Sequence, residues 1–434
     1  VRVVVVGGGP AGLAAADAAV RAGAEVVLVD SEPWPGGQYH RGTPQRVDSR
    51  VRHLASSTVW AVEGLRLHVR RGPADSPHRT PHVLDADAVV LATGAHDRVV
   101  PFPGWDLPGV YTAGAAQALA KGQGVAVGTR VVVSGTGPFL LPVAESLVRV
   151  GTQVLEVLEA NAFSTWARYP HTLANVGKLG ELARYAGVLG RHRIPVRTRA
   201  AVVAAHGDDR VTAVTVARLR PDWSVVDGTR RRVAVDAVCV GHGFTPRLEL
   251  AVGLGCRLVD GFVAVDATGA TSVPGVYAAG EVTGIGGADL AAAEGAVAGS
   301  AAARAPEPPI AAMRAVRRGR RFAMALVAAH PVGGGRHGWL LADTVVCRCE
   351  EVTAHDLDVA LDRGAADVRT LKLASRAGLG LCQGRVCGRE VADLAAARLG
   401  HPLPDADAFH RRPLATPLRL GELADTPLLP EEDL

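Results

Sequence analysis

The chain has 434 residues, too many for one compact core, so several domains are expected. Apolar residues make up 48% and charged residues 21%, which excludes a largely disordered chain, and the 51 glycines have no G-X-Y period, which excludes a collagen-like fibre and points to tight turns and close backbone approaches. A net charge of +4 and an aromatic share of 4% lack the basic footprint and the stacking platforms of a nucleic-acid binder.

The opening residues, VRVVVVGGG, do not have the basic, apolar, small-residue order of a signal peptide, and no stretch is a long uncharged apolar run of the kind that spans a bilayer. The expectation is a cytoplasmic protein without a transmembrane segment. Residues 1–30 read as a strand, a glycine turn, an Ala-rich helix and a second strand, and the short Val-rich runs suit parallel strands buried on both faces. Within this unit Gly7-x-Gly9-x-x-Gly12 joins strand to helix, and Asp30 stands at the end of the next strand. The first glycine makes the turn, the second lets backbone approach a pyrophosphate, the third lets the helix sit on the strand, and Asp30 would accept hydrogen bonds from a ribose.

Further strands are expected at 87–95 (DAVVLATGA), 236–244 and 274–281. A second strand–turn–helix–strand unit starts at residue 130, and the pairs Gly7 and Gly135, Gly9 and Gly137, and Gly23 and Gly151 all share one offset. In this copy Leu140 replaces the third glycine, and the same offset carries Asp30 onto Leu158, with Glu159 next in line and so out of register. NAD(P) binding is therefore disfavoured there, and an inherited scaffold is the expected reading. The Ala/Gly-rich run 285–305 is expected to be a helix packed closely on a sheet, APEPPI (305–310) marks a boundary, and 311–330 is a basic amphipathic stretch. That stretch reads as a solvated helix face, with contact to a partner or to the inner face of the cell membrane as the alternative.

Cys347-x-Cys349 and Cys382-x4-Cys387 bracket the stretch 350–381 near the carboxyl end. Four clustered thiols in a reducing compartment read as metal ligands. Zinc ribbons use C-x2-C hooks, so the C-x-C start speaks against zinc, and four thiolates suit a [2Fe–2S] cluster. Cys239 and Cys256 belong to no such pair, and His40, His96 and His242 read as local hydrogen-bonding residues rather than catalytic bases.

WPGGQYHR (34–41), DAVVLATGA and TSVPGVYAAGE (271–281) resemble successive signatures of the flavin-containing oxidoreductases with two dinucleotide-binding domains. The resemblance implies that Gly7, Gly9, Gly12 and Asp30 hold FAD, that Gly36, Gly37 and Gln38 lie by the flavin, and that Thr93, Gly94, Gly280 and Glu281 complete the site, although Asp is commoner than Glu at the last position. The redox disulfide of the thioredoxin and glutathione reductase groups is absent from the pattern. CRCEEVT with GLGLCQGRVCG resembles the bacterioferritin-associated-ferredoxin-like cluster domain, in the version with a longer spacing inside the second pair. The implied fold is α/β, with two Rossmann-like domains of the disulfide-reductase flavoprotein type and a small carboxyl-terminal [2Fe–2S] domain. Its expected parts are an FAD domain at 1–105 and 246–304, a second nucleotide-type domain at 106–245, a helical linker at 305–342, the cluster domain at 343–400 and an extended Pro-rich tail at 401–434.

In that order the signatures resemble, over nearly the whole chain, the FAD- and iron–sulfur-bearing alpha subunits of multi-subunit amino-acid and amine dehydrogenases: hydrogen cyanide synthase, opine oxidase, and proline or hydroxyproline dehydrogenase. HDRVVPFPGWDLPGVYTAGAAQ (96–117) and GIGGADLAAAEG (284–295) fit the same pattern. The resemblance implies substrate oxidation on an amino-acid-oxidase-type flavoprotein beta subunit, a small third subunit in some assemblies, and in some members an FMN between subunits. No catalytic acid or base is assigned. A self-contained NAD(P)H-dependent reductase and a non-enzymatic cluster carrier on a relic flavin fold are the rival readings.

Overall fold

A computed structural model describes residues 1–74, 76–170, 176–307, 309–403, 409–412 and 414–424. By its internal contacts the chain forms two compact units, Val1–Ala95 with Pro246–Ala323 and His410–Leu434, and His96–Thr245 with Met324–Phe409.

The first unit is built on a five-stranded parallel sheet in the spatial order Val276–Ala278, Ala88–Leu91, Arg2–Val6, Glu25–Val29 and Val51–Leu54. Val3, Val4 and Val5 have no exposed surface, as a parallel strand covered on both faces requires. On one face lie the helices Pro10–Arg21 and Ala288–Ala302, the latter filling the expected Ala/Gly-rich run. Small residues let these two helices touch backbone to backbone. A Cβ on Gly295 would stand 2.0 Å from the Ala11 carbonyl oxygen, and one on Gly299 would stand 2.1 Å from that of Ala15. Opposite, a three-stranded antiparallel sheet (Ser57–Glu63, Arg66–Arg71, Thr80–Asp85) closes the core with Val59, Leu67 and Val69.

The second unit repeats the plan. Its parallel sheet runs Val196–Thr198, Gln153–Glu159, Arg130–Gly135, Ala237–Gly241 and Val110–Thr112. An antiparallel sheet of Ala200–His206, Ala213–Arg218 and Arg231–Ala234 covers one face around Trp223, Val202 and Val214. The same unit holds the cysteine-bearing segment, where a short hairpin (Val345–Cys347 with Val352–Thr353) and three helices (Ala354–Asp362, Val368–Ser375, Gly388–Leu399) surround a separate core of Val346, Leu357, Leu371, Val391 and Phe409.

The expected helical linker contains a 20-residue helix, Ile310–Ala329, with only Ala325 and Ala329 buried. The expected extended tail is partly folded in its described residues: Leu420–Ala424 is helical, Ala415 N donates to the Trp60 carbonyl, and the buried Glu422 takes a two-pronged contact from Arg79 at 2.6 and 2.7 Å. Residues 404–408 and 425–434 of the expected tail lie outside the described residues. Among the described residues no helix is long and apolar enough to cross a membrane.

The helix contact makes a direct prediction. Gly299→Val must separate the two helices, and a strain of about 1–3 kcal/mol lowers the midpoint of thermal unfolding relative to Ala303→Ser, a control at the end of the same helix.

Candidate functional site

The glycine turn follows the strand Arg2–Val6. Gly7 has φ +107°, and a Cβ there would meet the Ala92 carbonyl oxygen at 2.2 Å, so the turn lies directly on the end of strand Ala88–Leu91. A Cβ on Gly12 would stand 1.7 Å from the Gly7 carbonyl oxygen, which leaves glycine as the only residue compatible with this helix position. Gly9, by contrast, has no atom within 4 Å of its notional Cβ, so open space lies over the amino end of the helix, whose first N–H groups have no intrahelical partners.

Asp30 borders this turn. Its Oδ1 accepts the Glu32 amide at 3.0 Å, while Oδ2 is buried beside the Gly8 amide without a well-aligned donor. Burial pushes this carboxyl above the usual carboxylate range. A hydroxyl donor from a ribose would satisfy the orphaned oxygen, so turn and acid together fit an adenine dinucleotide.

Of the other expected flavin residues, Gly36, Gly37 and Gly280 lie against the same turn or the helix it opens. Gly36 N donates to the Gly8 carbonyl at 2.7 Å, and a Cβ on Gly37 would meet Gly9 Cα at 2.8 Å, which stacks the Gly36–Gly37–Gln38 loop on the glycine turn. Gln38 Oε1 accepts from Arg41, which also pairs with Glu32. Thr93 Oγ1 donates to the Arg247 carbonyl at 2.8 Å, and the Gly94 carbonyl accepts from the Arg247 amide at 3.0 Å. Gly280 packs against Ala11 at the start of the first helix and opens the short 3-10 turn Gly280–Val282. Glu281 lies in that turn with its carboxyl pushed up by burial. The sequence reading missed the residue that holds the turn. Glu294 accepts from Gly280 N at 3.0 Å, Thr283 Oγ1 at 3.1 Å and Arg320 Nε at 2.9 Å. Its signal was present, as one of two acids in an otherwise apolar 15-residue helix.

The second glycine turn keeps one constraint of the first and loses another. A Cβ on Gly135 would meet the Gly241 carbonyl oxygen at 1.8 Å, the counterpart of Gly7 against Ala92. Leu140, however, is buried, and its helix begins at Leu140 rather than at Pro138. The register of the acid is corrected by the structure. A bulge between Val131 and Val132 sets Gly135 opposite Glu159, so the extra residue is absorbed and Glu159 stands in Asp30's place. Both of its oxygens are bonded, Oε1 by Thr136 Oγ1 and the Asn161 amide and Oε2 by the Gly137 amide, at 2.9, 2.9 and 2.7 Å.

Three of the four expected thiols are held on ordered frames. Cys347 ends the strand Val345–Cys347 and accepts the Gly378 amide at 3.5 Å, Cys387 caps the helix Gly388–Leu399, and Cys382 lies in the loop between. Cys349 is exposed, and a Cβ on Gly380 would stand 2.4 Å from its Cβ. The thiols meet pairwise: contact with Cys387 lowers Cys347 to about 6 and Cys382 to about 4, the same contacts push Cys387 up, and Cys349 touches Cys382. Among the described residues no three ligand-type side chains are grouped as one metal ion would require. The contacts run as a chain, Cys347 to Cys387 to Cys382 to Cys349, and four adjacent thiolates would fit a [2Fe–2S] cluster.

The remaining cysteine and histidine candidates have local partners or are buried. Cys239 and Cys256 are buried and free, and burial pushes both thiols up. His40 stacks edge-on with Tyr39, His96 Nε2 is 2.9 Å from the Arg385 carbonyl oxygen, and His242 is wholly buried and lowered to about 3 by burial and by the charges of Arg98 and Arg336.

Residues 1–299 match the pyridine nucleotide-disulphide oxidoreductase family, and residues 345–397 match the BFD-like [2Fe-2S] binding domain. The chain belongs to the pyridine nucleotide-disulphide oxidoreductase family. It is 34% identical over 426 residues to hydrogen cyanide synthase subunit HcnB of Pseudomonas aeruginosa, spanning 89% of this chain and 90% of that one. It is 31% identical over 480 residues to the A subunit of opine oxidase from Agrobacterium tumefaciens, spanning 98% and 91%. L-proline dehydrogenase from P. horikoshii has the same fold at a TM-score of 0.69 and 20% identity, over 98% of this chain and 79% of that one. This family member is thus a flavin-dependent oxidoreductase whose cofactors are FAD and a [2Fe–2S] cluster.

Two substitutions test the assignment of residues. A Cβ at position 9 meets no protein atom within 4 Å, so Gly9→Val folds with an unchanged circular dichroism spectrum and loses its FAD. Retention of stoichiometric flavin would place the dinucleotide elsewhere. Cys382→Ser removes iron and sulfide, measured after anaerobic purification, and leaves the FAD content unchanged, because the glycine turn belongs to the first unit and the thiols to the second.

Proposed function

We propose that this chain is the electron-conveying subunit of a hetero-oligomeric dehydrogenase for an amino acid or secondary amine of the proline, hydroxyproline, opine or glycine kind. Hydride leaves the substrate on a partner flavoprotein subunit. The observation that carries this reading is the inventory of one chain: one glycine turn with an orphaned acid fitted to FAD, and one set of four thiols. The relatives support it, since the matching hydrogen cyanide synthase and opine oxidase chains are each named as one subunit of their enzyme. FAD takes up two electrons and releases them singly, and a [2Fe–2S] cluster carries one at a time, so the pair joins a two-electron oxidation to a one-electron acceptor.

The residues of this chain then have binding and orienting roles. The amino end of the helix Pro10–Arg21 and the amides around Gly8 and Gly9 face the pyrophosphate, and Asp30 Oδ2 accepts from a ribose hydroxyl. Glu294 fixes the turn that presents Glu281. Gly36 and Gly37 bring the Gln38 loop onto the same turn. An FMN at the interface with the partner and a small third subunit belong to the same proposal.

The placement of Glu159 opposite Gly135 favours a second reading, a reductase fed by NAD(P)H at the second turn. Against it stand Leu140 and the three hydrogen bonds already made by the Glu159 carboxylate. One experiment separates the two. The chain alone, and the chain co-expressed with its flavoprotein partner, are assayed for dye reduction with proline, hydroxyproline, glycine, sarcosine and opines, and separately with NADH and NADPH. Amine-dependent turnover arises only in the co-expressed complex, and neither nucleotide bleaches the flavin rapidly. Turnover by the isolated chain with an amine, or rapid stoichiometric bleaching by a nucleotide, refutes the proposal.

A further inference from the structure

Side chains from the start of the second unit grip the ligand loop and the helix that follows it. His96 lies in the strand Ala95–Asp97, just beyond Gly94, and its Nε2 stands 2.9 Å from the carbonyl oxygen of Arg385, inside the Cys382-x4-Cys387 loop. Arg98 is the next residue but one, a spacing that returns to the same face of an extended chain. Its Nε donates to Glu390 Oε1 at 2.6 Å and its Nη2 to Asp393 Oδ2 at 2.7 Å, both on the helix capped by Cys387. Arg336 donates to the same two carboxylates at 2.9 Å. Arg98, Arg336 and Glu390 are all buried. From the helix, Arg389 Nη1 donates to the carbonyl oxygen of Phe244, on the strand that pairs with Ala95–Asp97. The loop and its helix are thus held at successive points, from residue 385 to residue 393, by His96 and Arg98 together with Arg336 and the Phe244 carbonyl.

We infer that His96 and Arg98 are positioning residues for the iron–sulfur centre, acting through the Arg385 carbonyl and through Glu390 and Asp393 to fix how Cys382 and Cys387 are presented. The reduction potential of such a centre depends on the hydrogen bonds and the exposure around its sulfurs. The Nε2–H group of His96 draws charge from the Arg385 carbonyl. When that donor is lost, the negative end of a peptide dipole inside the ligand loop is less compensated, and it opposes an added electron. A residue that only docked one segment on another would leave potential and spectrum where they are.

The test uses the full chain, purified anaerobically and without substrate, so it is independent of the substrate and partner proposed above. Iron and sulfide are counted, and the cluster is titrated potentiometrically while its paramagnetic signal is followed. His96→Ala keeps parental iron and sulfide, titrates at a more negative potential and shows an altered signal. His96→Gln, whose amide can donate to the same carbonyl, returns both towards the parent. Arg98→Lys keeps the buried charge but loses the two-pronged geometry, and it shifts the same signal, whereas Arg98→Met would risk the fold. Should His96→Ala lose the cluster outright, its retention in His96→Gln supports the inference. A parental potential and signal in His96→Ala overturns it, as do equal shifts, or equal loss of cluster, in the alanine and glutamine variants.

Discussion

Backbone meeting backbone, with no side chain between, is the constraint on which both units are built. At Gly7 against Ala92 and at Gly135 against Gly241, a methyl group would lie within about 2 Å of a carbonyl oxygen, inside any van der Waals contact. Each contact seats a glycine turn on the neighbouring strand of a parallel sheet. In the first unit the same close approach continues outward, through Gly12 under the helix Pro10–Arg21 and through Gly295 and Gly299 between the two helices. Part of the high glycine content read from composition goes into such approaches.

Much of this was legible in the sequence because it depends on local pattern. Val-rich runs bounded by glycine mark the parallel strands, and the constant offset between paired glycines reveals the duplicated unit. The glycine turn, Asp30 and the four thiols were readable because each is a fixed spacing tied to a fixed geometry. What escaped was non-local. Glu294 reaches Gly280 across 14 residues, and Arg98 reaches Glu390 across 292, and no periodicity announces either pairing. The bulge between Arg130–Gly135 and Gln153–Glu159 escaped for a different reason: a strict offset cannot see one inserted residue, and only strand pairing shows that Glu159 regained the position of Asp30.

The buried charges around Glu390 raise an energetic question. Taking two guanidinium groups and a carboxylate out of water costs several kcal/mol per ion, and their attraction offsets this only with good geometry. Here the geometry is good, with contacts of 2.6–3.1 Å between Arg98, Arg336, Glu390 and the partly exposed Asp393. An apolar patch of the same size could join the cysteine-bearing segment to the rest of the unit with as much stability. It would not specify orientation, because hydrophobic contact is non-directional while a forked guanidinium on a carboxylate is directional. Glu390 also sits in the first turn of its helix, where the dipole favours an acid, so the pairing and the local helix agree.

The two glycine turns show how one scaffold holds two different local states. Each places an acid beside the turn, at the end of the adjacent strand. Asp30 is the shorter, and with one oxygen on the Glu32 amide it has a second that finds no aligned protein donor. Glu159 is one methylene longer, reaches the amide of the second glycine, Gly137, and has both oxygens engaged by this chain's own groups. A buried carboxylate oxygen is costly unless bonded, so the first arrangement leaves an acceptor for a donor from outside the chain, and the second is complete as it stands. Leu140 has the same effect from the helix side, filling with a buried side chain the position where glycine would let helix and turn close together. The repeat has therefore diverged not in its sheet, which the glycine contacts still enforce, but in whether its acid and helix end leave anything for a ligand to satisfy.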